Sequence, residues 1–214
     1  MLRKNWHMLE WIILLVLLIL YSVGIWGFAN SDESIINLTP VHLMISLLML
    51  LMTKNTSNVR WFVFLILVYI IGFGIEAIGV NTGWPFGSYQ YGDVFGTHLF
   101  DTPLLIGVNW VMLVLGSASA VEFLLPKVPK WLKITIQAFL MVLLDFLIEP
   151  VAIQFNFWTW NSTAIPFSNY AAWFVISLVM HILREQIIGT YQSKIATGIF
   201  VLQFIFFGLI QLLT

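Results

Sequence analysis

Seven apolar stretches, each near the length of a bilayer crossing, leave this chain few ways to fold. They cover residues 11–28, 40–53, 61–79, 103–125, 131–153, 169–183 and 195–213. A hydrocarbon core of about 30 Å calls for about 20 residues of helix, and every backbone N–H and C=O within it must be satisfied inside the protein. The expected fold is therefore all-α: a polytopic transmembrane bundle of about seven spans, of which the second and sixth are shortest. Mean hydropathy of +0.96, with 60% hydrophobic and 9% charged residues, excludes a soluble domain or a disordered chain. The first stretch is long for a signal peptide, and Phe28-Ala29-Asn30 is a poor cleavage site, so it reads as a retained helix.

The cations give an orientation, because lysine and arginine favour cytoplasmic loops. They are Arg3, Lys4, Lys54, Arg60, Lys127, Lys130, Lys133, Arg184 and Lys194, all on the N-terminus or in alternate connections. The other connections, 29–39, 80–102 and 154–168, carry none. This predicts an inside N-terminus and an outside C-terminus. The whole chain, 1–214, reads as a single multi-pass domain in the cytoplasmic (inner) membrane. With no cysteine, disulfides and thiolate metal sites are excluded. A net charge of −1 without a basic cluster gives nucleic acid nothing to bind.

Three carboxylates break the apolar pattern: Glu76, Asp145 and Glu149. A charge at membrane depth costs at least ~2.5–3.5 kcal/mol on insertion scales, which makes such residues functional candidates. Glu76 lies 15 residues beyond Trp61 and Asp145 14 beyond Trp131. At helical rise both are roughly 21–22 Å along their spans, in the outer third of the core. Glu149 is one turn further out on the same face as Asp145. Asn109, about 9 Å below the outer end of its helix, matches their depth. His42 is near the outer end of its span, and Asp93 and Asp101 lie in the loop above. One buried acid is commonly structural, bonded to a helix end or a neighbouring Ser, Asn or Tyr. Three at one depth, with no lysine or arginine beside them, favour chemistry. An acid that keeps its proton near neutral pH is a general acid, and Asp145 and Glu149 are expected to titrate as a unit. Glu10, Glu122 and Glu185, near inside ends, are expected to face headgroup water. His7, His98 and His181 are scattered, and no metal site is expected.

Two outer connections, 79–93 and 154–170, are rich in Gly, Pro, Asn and aromatics. A single ring there usually belongs to an interfacial belt. The density of Trp84, Phe86, Tyr89 and Tyr91 points instead to a pocket. A faint repeat links the connections: an acid ends the ascending span, then Pro-Phe and Ser-x-Tyr or Ser-Asn-Tyr follow, at 85–89 and 166–170. It predicts two hairpins facing each other around shared space.

Much chemistry is excluded. Four scattered histidines cannot supply a membrane di-iron centre, and no Gly-rich dinucleotide fingerprint occurs. Asp145 and Glu149 form one carboxylate pair with no cation for a diphosphate. The last span has no Schiff-base lysine. What remains uses acids, aromatics and water, without a cofactor. Protonating an alkene gives a carbocation, aromatic faces stabilise it, and water addition or proton loss ends the reaction. The substrate must be apolar and enter from lipid. The same acids could also serve a proton-coupled transporter as a relay.

The block Glu76-Ala-Ile-Gly-Val-Asn-Thr-Gly-Trp-Pro-Phe-Gly-Ser-Tyr-Gln-Tyr-Gly-Asp, with Gly96 and Pro103, resembles the membrane carotenoid hydratase family. So do Asp145, Glu149-Pro150, Trp158-Thr-Trp160, Ile165-Pro166, Asn169 and Trp173. Many members carry aspartate before that proline, where this chain has Glu149. The likeness covers roughly residues 70–180, the expected functional core. It implies cofactor-free hydration of the terminal double bond of a linear carotenoid end group to a tertiary alcohol. The partners it implies are water, membrane lipid and an apolar polyene (lycopene or γ-carotene-like). The expected roles are Asp145 as proton donor tuned by Glu149, and Glu76 positioning or deprotonating water. Asn109 and Tyr89 or Tyr91 would orient that water. Trp84, Phe86, Trp158 and Trp160, with Asn169, would line the end-group pocket. An acid-initiated carotenoid cyclase and a carotenoid-binding membrane protein are the alternatives.

Overall fold

A computed structural model describes residues 2–53 and 58–214, without the side chains of residues 2–7. Lys54 therefore lies outside the described residues, as do the side chains of Arg3, Lys4 and His7. Every apolar stretch is helical. The helices are α1 (Leu2–Ala29), the short α2 (Glu33–Ile36), α3 (Thr39–Met52), α4 (Val59–Thr82), α5 (Leu105–Leu124), α6 (Lys130–Gln154), α7 (Phe167–Ile187) and α8 (Lys194–Leu213). By length and composition, α1, α4, α5, α6 and α8 can cross a membrane. Helix α3 is apolar but has only 14 residues, and α7 carries His181, Arg184 and Glu185 near its end.

Local chemistry sets the ends. The Asn58 side chain accepts the Arg60 N–H at 3.0 Å and starts α4. Gly83 closes α4 in the left-handed conformation, φ 74°, with its N–H on the Gly79 carbonyl at 2.7 Å. Pro40 sits in the first turn of α3, while Pro129 and Pro166 immediately precede α6 and α7. Ser193 caps α8 through the Ala196 N–H at 3.2 Å.

Helix α5 is the central rod. Of its most apolar stretch 89% is buried, against 28% for α1 and α4, so the latter two present most of their surface to lipid. It packs against α4, α6 and α8. Small residues permit this: a methyl at Gly116 would sit 2.8 Å from the Phe200 Cβ and 3.1 Å from the Ala196 carbonyl oxygen.

The two ends of the bundle differ. Where α5 turns into α6, Lys133 meets Glu122 at 2.6 Å, both buried. Lys130 and Arg184 meet Glu185 at 2.7 and 3.1 Å, and Lys194 meets Glu10 at 2.9 Å. The expectation that Glu122 faces headgroup water is corrected: the tight turn folds Lys133 back onto it, and the pair is enclosed together. At the other end the long connections form small ribbons. β1 (Tyr89–Tyr91) pairs antiparallel with β4 (Trp158–Trp160), with Tyr89 opposite Trp160 and Tyr91 opposite Trp158. A second ribbon joins β2 (His98–Leu99) to β3 (Thr102–Pro103). The Pro-Phe segments of the two connections also meet, since the Ser168 hydroxyl donates to the Phe86 carbonyl at 2.7 Å.

Candidate functional site

Glu76 is delivered by a face of α4 that is otherwise bare. Gly72, Glu76 and Gly79 stand four and three residues apart, on one side of the helix. A methyl at Gly72 would lie 2.6 Å from the Trp110 side chain. One at Gly79 would lie 2.6 Å from the Phe86 ring and 3.0 Å from the Tyr89 oxygen. The missing side chains let those rings close on the carboxylate. The Tyr89 and Tyr91 hydroxyls donate to Glu76 Oε2 at 2.5 and 2.9 Å, and the Trp110 indole donates to Oε1 at 3.1 Å. Burial, then the neighbouring Glu76, pushes both phenols well above their ordinary pKa, so they remain donors.

Asp145 and Glu149 project from one face of α6. The Trp158 and Trp160 indoles donate to Glu149 Oε2 at 2.9 and 2.8 Å. The Asn169 amide, from the start of α7, donates to Asp145 Oδ2 at 2.8 Å and Glu149 Oε1 at 3.2 Å, bridging the pair. The alternation of a strand explains the set. Tyr89, Tyr91, Trp158 and Trp160 point to the acids from one face of the β1–β4 ribbon, while Gln90 and Thr159 between them are exposed. All three acids are at most 4% exposed. Every hydrogen-bond donor to them among the described residues is neutral: three on Glu76, three on Glu149 and one on Asp145.

The acids enclose a cavity of about 30 Å³. That is room for a water, which needs at least roughly 10–15 Å³. Its walls are aromatic. Trp173 stacks on Trp110 with centroids 4.2 Å apart, and the Tyr89 and Trp160 rings are 5.0 Å apart. Among the described residues no group of three or more His, Asp or Glu side chains is arranged to hold a metal ion.

Nine of the expected residues meet here: Glu76, Asp145, Glu149, Phe86, Tyr89, Tyr91, Trp158, Trp160 and Asn169. Two do not. Trp84 is 66% exposed, because the turn at 84–86 sends Phe86 inward and Trp84 outward. Asn109 is half-buried and off the cavity wall. Its neighbour Trp110, about 100° further round the helix, faces Glu76 instead. Trp173 enters the sequence reading only through the resemblance, and Trp110 has no role in it. The available signal was a tryptophan on the most buried helix, whose indole N–H needs a partner.

A family model described as carotenoid biosynthesis protein matches residues 37–214. Among curated proteins, the bisanhydrobacterioruberin hydratase of Haloarcula japonica is 30% identical over 127 residues, 56% of this chain. That region is 43% of the relative, so the match spans under half of its length. No solved structure matches the chain.

Proposed function

The chain belongs to the carotenoid biosynthesis protein family, and from that premise we propose that its carboxylate cluster hydrates the terminal double bond of a linear carotenoid end group. The product is a tertiary alcohol, and no redox cofactor takes part. One observation carries this reading: three buried carboxyl groups, whose donors among the described residues are all neutral, surround a space that can hold a water. The name of the haloarchaeal relative supports the reaction class.

The proposed steps balance. Asp145 has one hydrogen-bond donor among the described residues where each glutamate has three, so it has the least help in holding a charge and serves as the acid. It gives its proton to the less substituted alkene carbon, and the cation forms on the tertiary carbon. The faces of Trp158, Trp160, Trp173 and Phe86 shield that cation. Water held beside Glu76 and Tyr89 adds to it, and its surplus proton passes to Glu76. Glu76 then passes that proton through water in the shared cavity to Glu149, and Glu149 passes it to Asp145, beside which the Asn169 amide holds it, so all three acids return to their starting states. One water is consumed and no net proton. The end group is larger than the cavity, so it enters by parting the lining rings.

The orientation we propose has seven spans, the N-terminus inside, the C-terminus outside and the cluster on the outer flank of the cytoplasmic membrane. Residues 1–214 act as one unit with a functional core at about 70–180. The positions of Arg60, Lys127, Lys130, Lys133, Arg184 and Lys194, all at helix ends away from the cluster, support this.

The test is expression in a lycopene-producing host supplied with water labelled in heavy oxygen. Hydration adds one water to the pigment and puts the label in a new hydroxyl. A product of unchanged mass identifies a cyclase, unaltered co-purifying pigment a binding protein, and solute or proton flux in vesicles a transporter. Asp145→Asn and Glu76→Gln should each abolish product while the protein still inserts. Near-normal product from both removes the proposal.

A further inference from the structure

A larger cavity, about 270 Å³, lies between α1, α3 and α8. This is close to the lower end of ligand pockets, about 300–1,000 Å³. Its rim is apolar and faces outward at Val23, Leu38 and Val41, so a guest reaches it from lipid. The interior is almost wholly hydrocarbon and aromatic, with Tyr21 set edge-on to His42 at 4.5 Å and near Phe206 at 6.1 Å.

Two polar atoms inside it are anomalous. Gln203 is only 5% exposed, and its buried Oε1 has no hydrogen-bond partner. His42 Nε2 is also buried without one. Both side chains line the cavity. An unmet polar atom in an apolar setting costs stability, and leucine would fill the place of Gln203 without that cost. The pair makes sense when a guest supplies the missing bonds. Among the described residues no acid, lysine or arginine lines the cavity, so neither an ammonium nor a carboxylate guest is matched. A neutral hydroxyl is: it can donate to the Gln203 oxygen and share either tautomer of His42.

The position narrows the guest. Phe157, the residue before β4, forms part of the cavity wall. Its ring is 5.0 Å from Phe95, which lies 6.5 Å from Tyr91 at the acid cluster. A run of three contacting rings, Phe157, Phe95 and Tyr91, thus leads from one cavity to the other. We propose that this second cavity holds the tertiary-alcohol end of a hydrated polyene, gripped by Gln203 and His42. The assignment rests on the hydration reading for its guest, not for its geometry.

The test is a binding titration of the full chain in phosphatidylcholine nanodiscs, in the Asp145→Asn background so that nothing turns over. The probes are lycopene, the same polyene bearing one terminal tertiary hydroxyl, and octadecanol as competitor. The alcohol should bind about tenfold more tightly than lycopene, the worth of one well-placed hydrogen bond. Gln203→Leu and His42→Leu should each cut that preference to about threefold or less, leave lycopene binding unchanged, and not lower the melting temperature. Equal binding of the two polyenes, or a preference that survives both substitutions, overturns the proposal. Octadecanol displacing the polyene alcohol at equal concentration also overturns it, by making the cavity a site for ordinary lipid alcohols. The two readings fail separately. A Gln203-dependent preference with no hydration product would leave an alcohol site without the reaction. Labelled product with no preference would remove only this site.

Discussion

Where α5 turns into α6, Glu122 is buried against the Lys133 ammonium at 2.6 Å, and the Pro126 carbonyl takes another of its protons at 3.1 Å. At the opposite end of the bundle Glu149 is just as enclosed, yet its partners are two indoles and an amide. Both arrangements overcome the cost of burying a polar group, but they leave the carboxyl in different chemical positions. A lysine fixes the charge of its partner, and removing either member strands the other. Neutral donors support a carboxylate without supplying a positive charge, so taking up a proton leaves no orphaned cation behind. Glu122 is held beside a cation, whereas Glu149 is held by neutral donors among the described residues, the setting from which proton exchange is proposed.

The largest expected effect breaks or keeps that contrast directly. Asp145→Asn preserves shape and removes the transferable proton. Product formed per inserted protein should fall by about 10²–10⁴-fold, the usual scale of general acid catalysis, with the melting temperature nearly unchanged. Glu122→Gln should do the reverse. It strands Lys133 and should cost about 3–5 kcal/mol of stability, measured by thermal unfolding in detergent, while turnover per folded molecule stays within about twofold. A Glu122→Gln protein that is folded but inactive would end the division between the two ends.

The contrast was half legible beforehand. The clustered acids stand out because nothing else in a run like 131–153 is charged beyond its first turn, and helix rise alone puts them at one level of the bundle. Their donors were visible as a dense aromatic loop, but not which ring meets which acid. That depends on the register of β1 on β4, which joins residues about 70 apart in sequence and is fixed by loop closure rather than by any local preference. Asn109 is the polar residue at the right depth on α5, but one residue on a helix is a rotation of about 100°, and that rotation brings Trp110 rather than Asn109 to Glu76. The burial of Glu122 is not legible locally, because it is decided by a partner eleven residues away, across a turn. Trp84 and Phe86 look alike in sequence, and only the turn between them sends one in and the other out.

Smaller changes sharpen the division by removing donors singly. Trp160→Phe keeps the ring and deletes one N–H from Glu149. A hydrogen bond to a charged group is worth about 1.5–3 kcal/mol, so a turnover loss of roughly 10–100-fold is expected if Glu149 returns the proton. Trp158→Phe should match it, since both indoles reach the same oxygen at nearly equal distance. A loss from the double substitution no greater than from either single one would show that the two donors work as one unit.

The smallest effect tests why the aromatics reach the acids at all. Gly79→Ala puts a methyl 2.6 Å from the Phe86 ring and 3.0 Å from the Tyr89 oxygen. Overpacking of this kind costs about 1–3 kcal/mol, and here the strain falls on the shortest hydrogen bond to Glu76. Gly74→Ala, on the same helix, meets nothing within 4 Å and serves as the reference. It should be neutral or slightly stabilising, because alanine favours helix by up to about 1 kcal/mol over glycine. The ratio of the two variants, in both melting temperature and turnover, separates helix propensity from site geometry. Equal behaviour would mean that Tyr89 can retreat without consequence, and that the close packing of α4 against its loop has no part in holding Glu76.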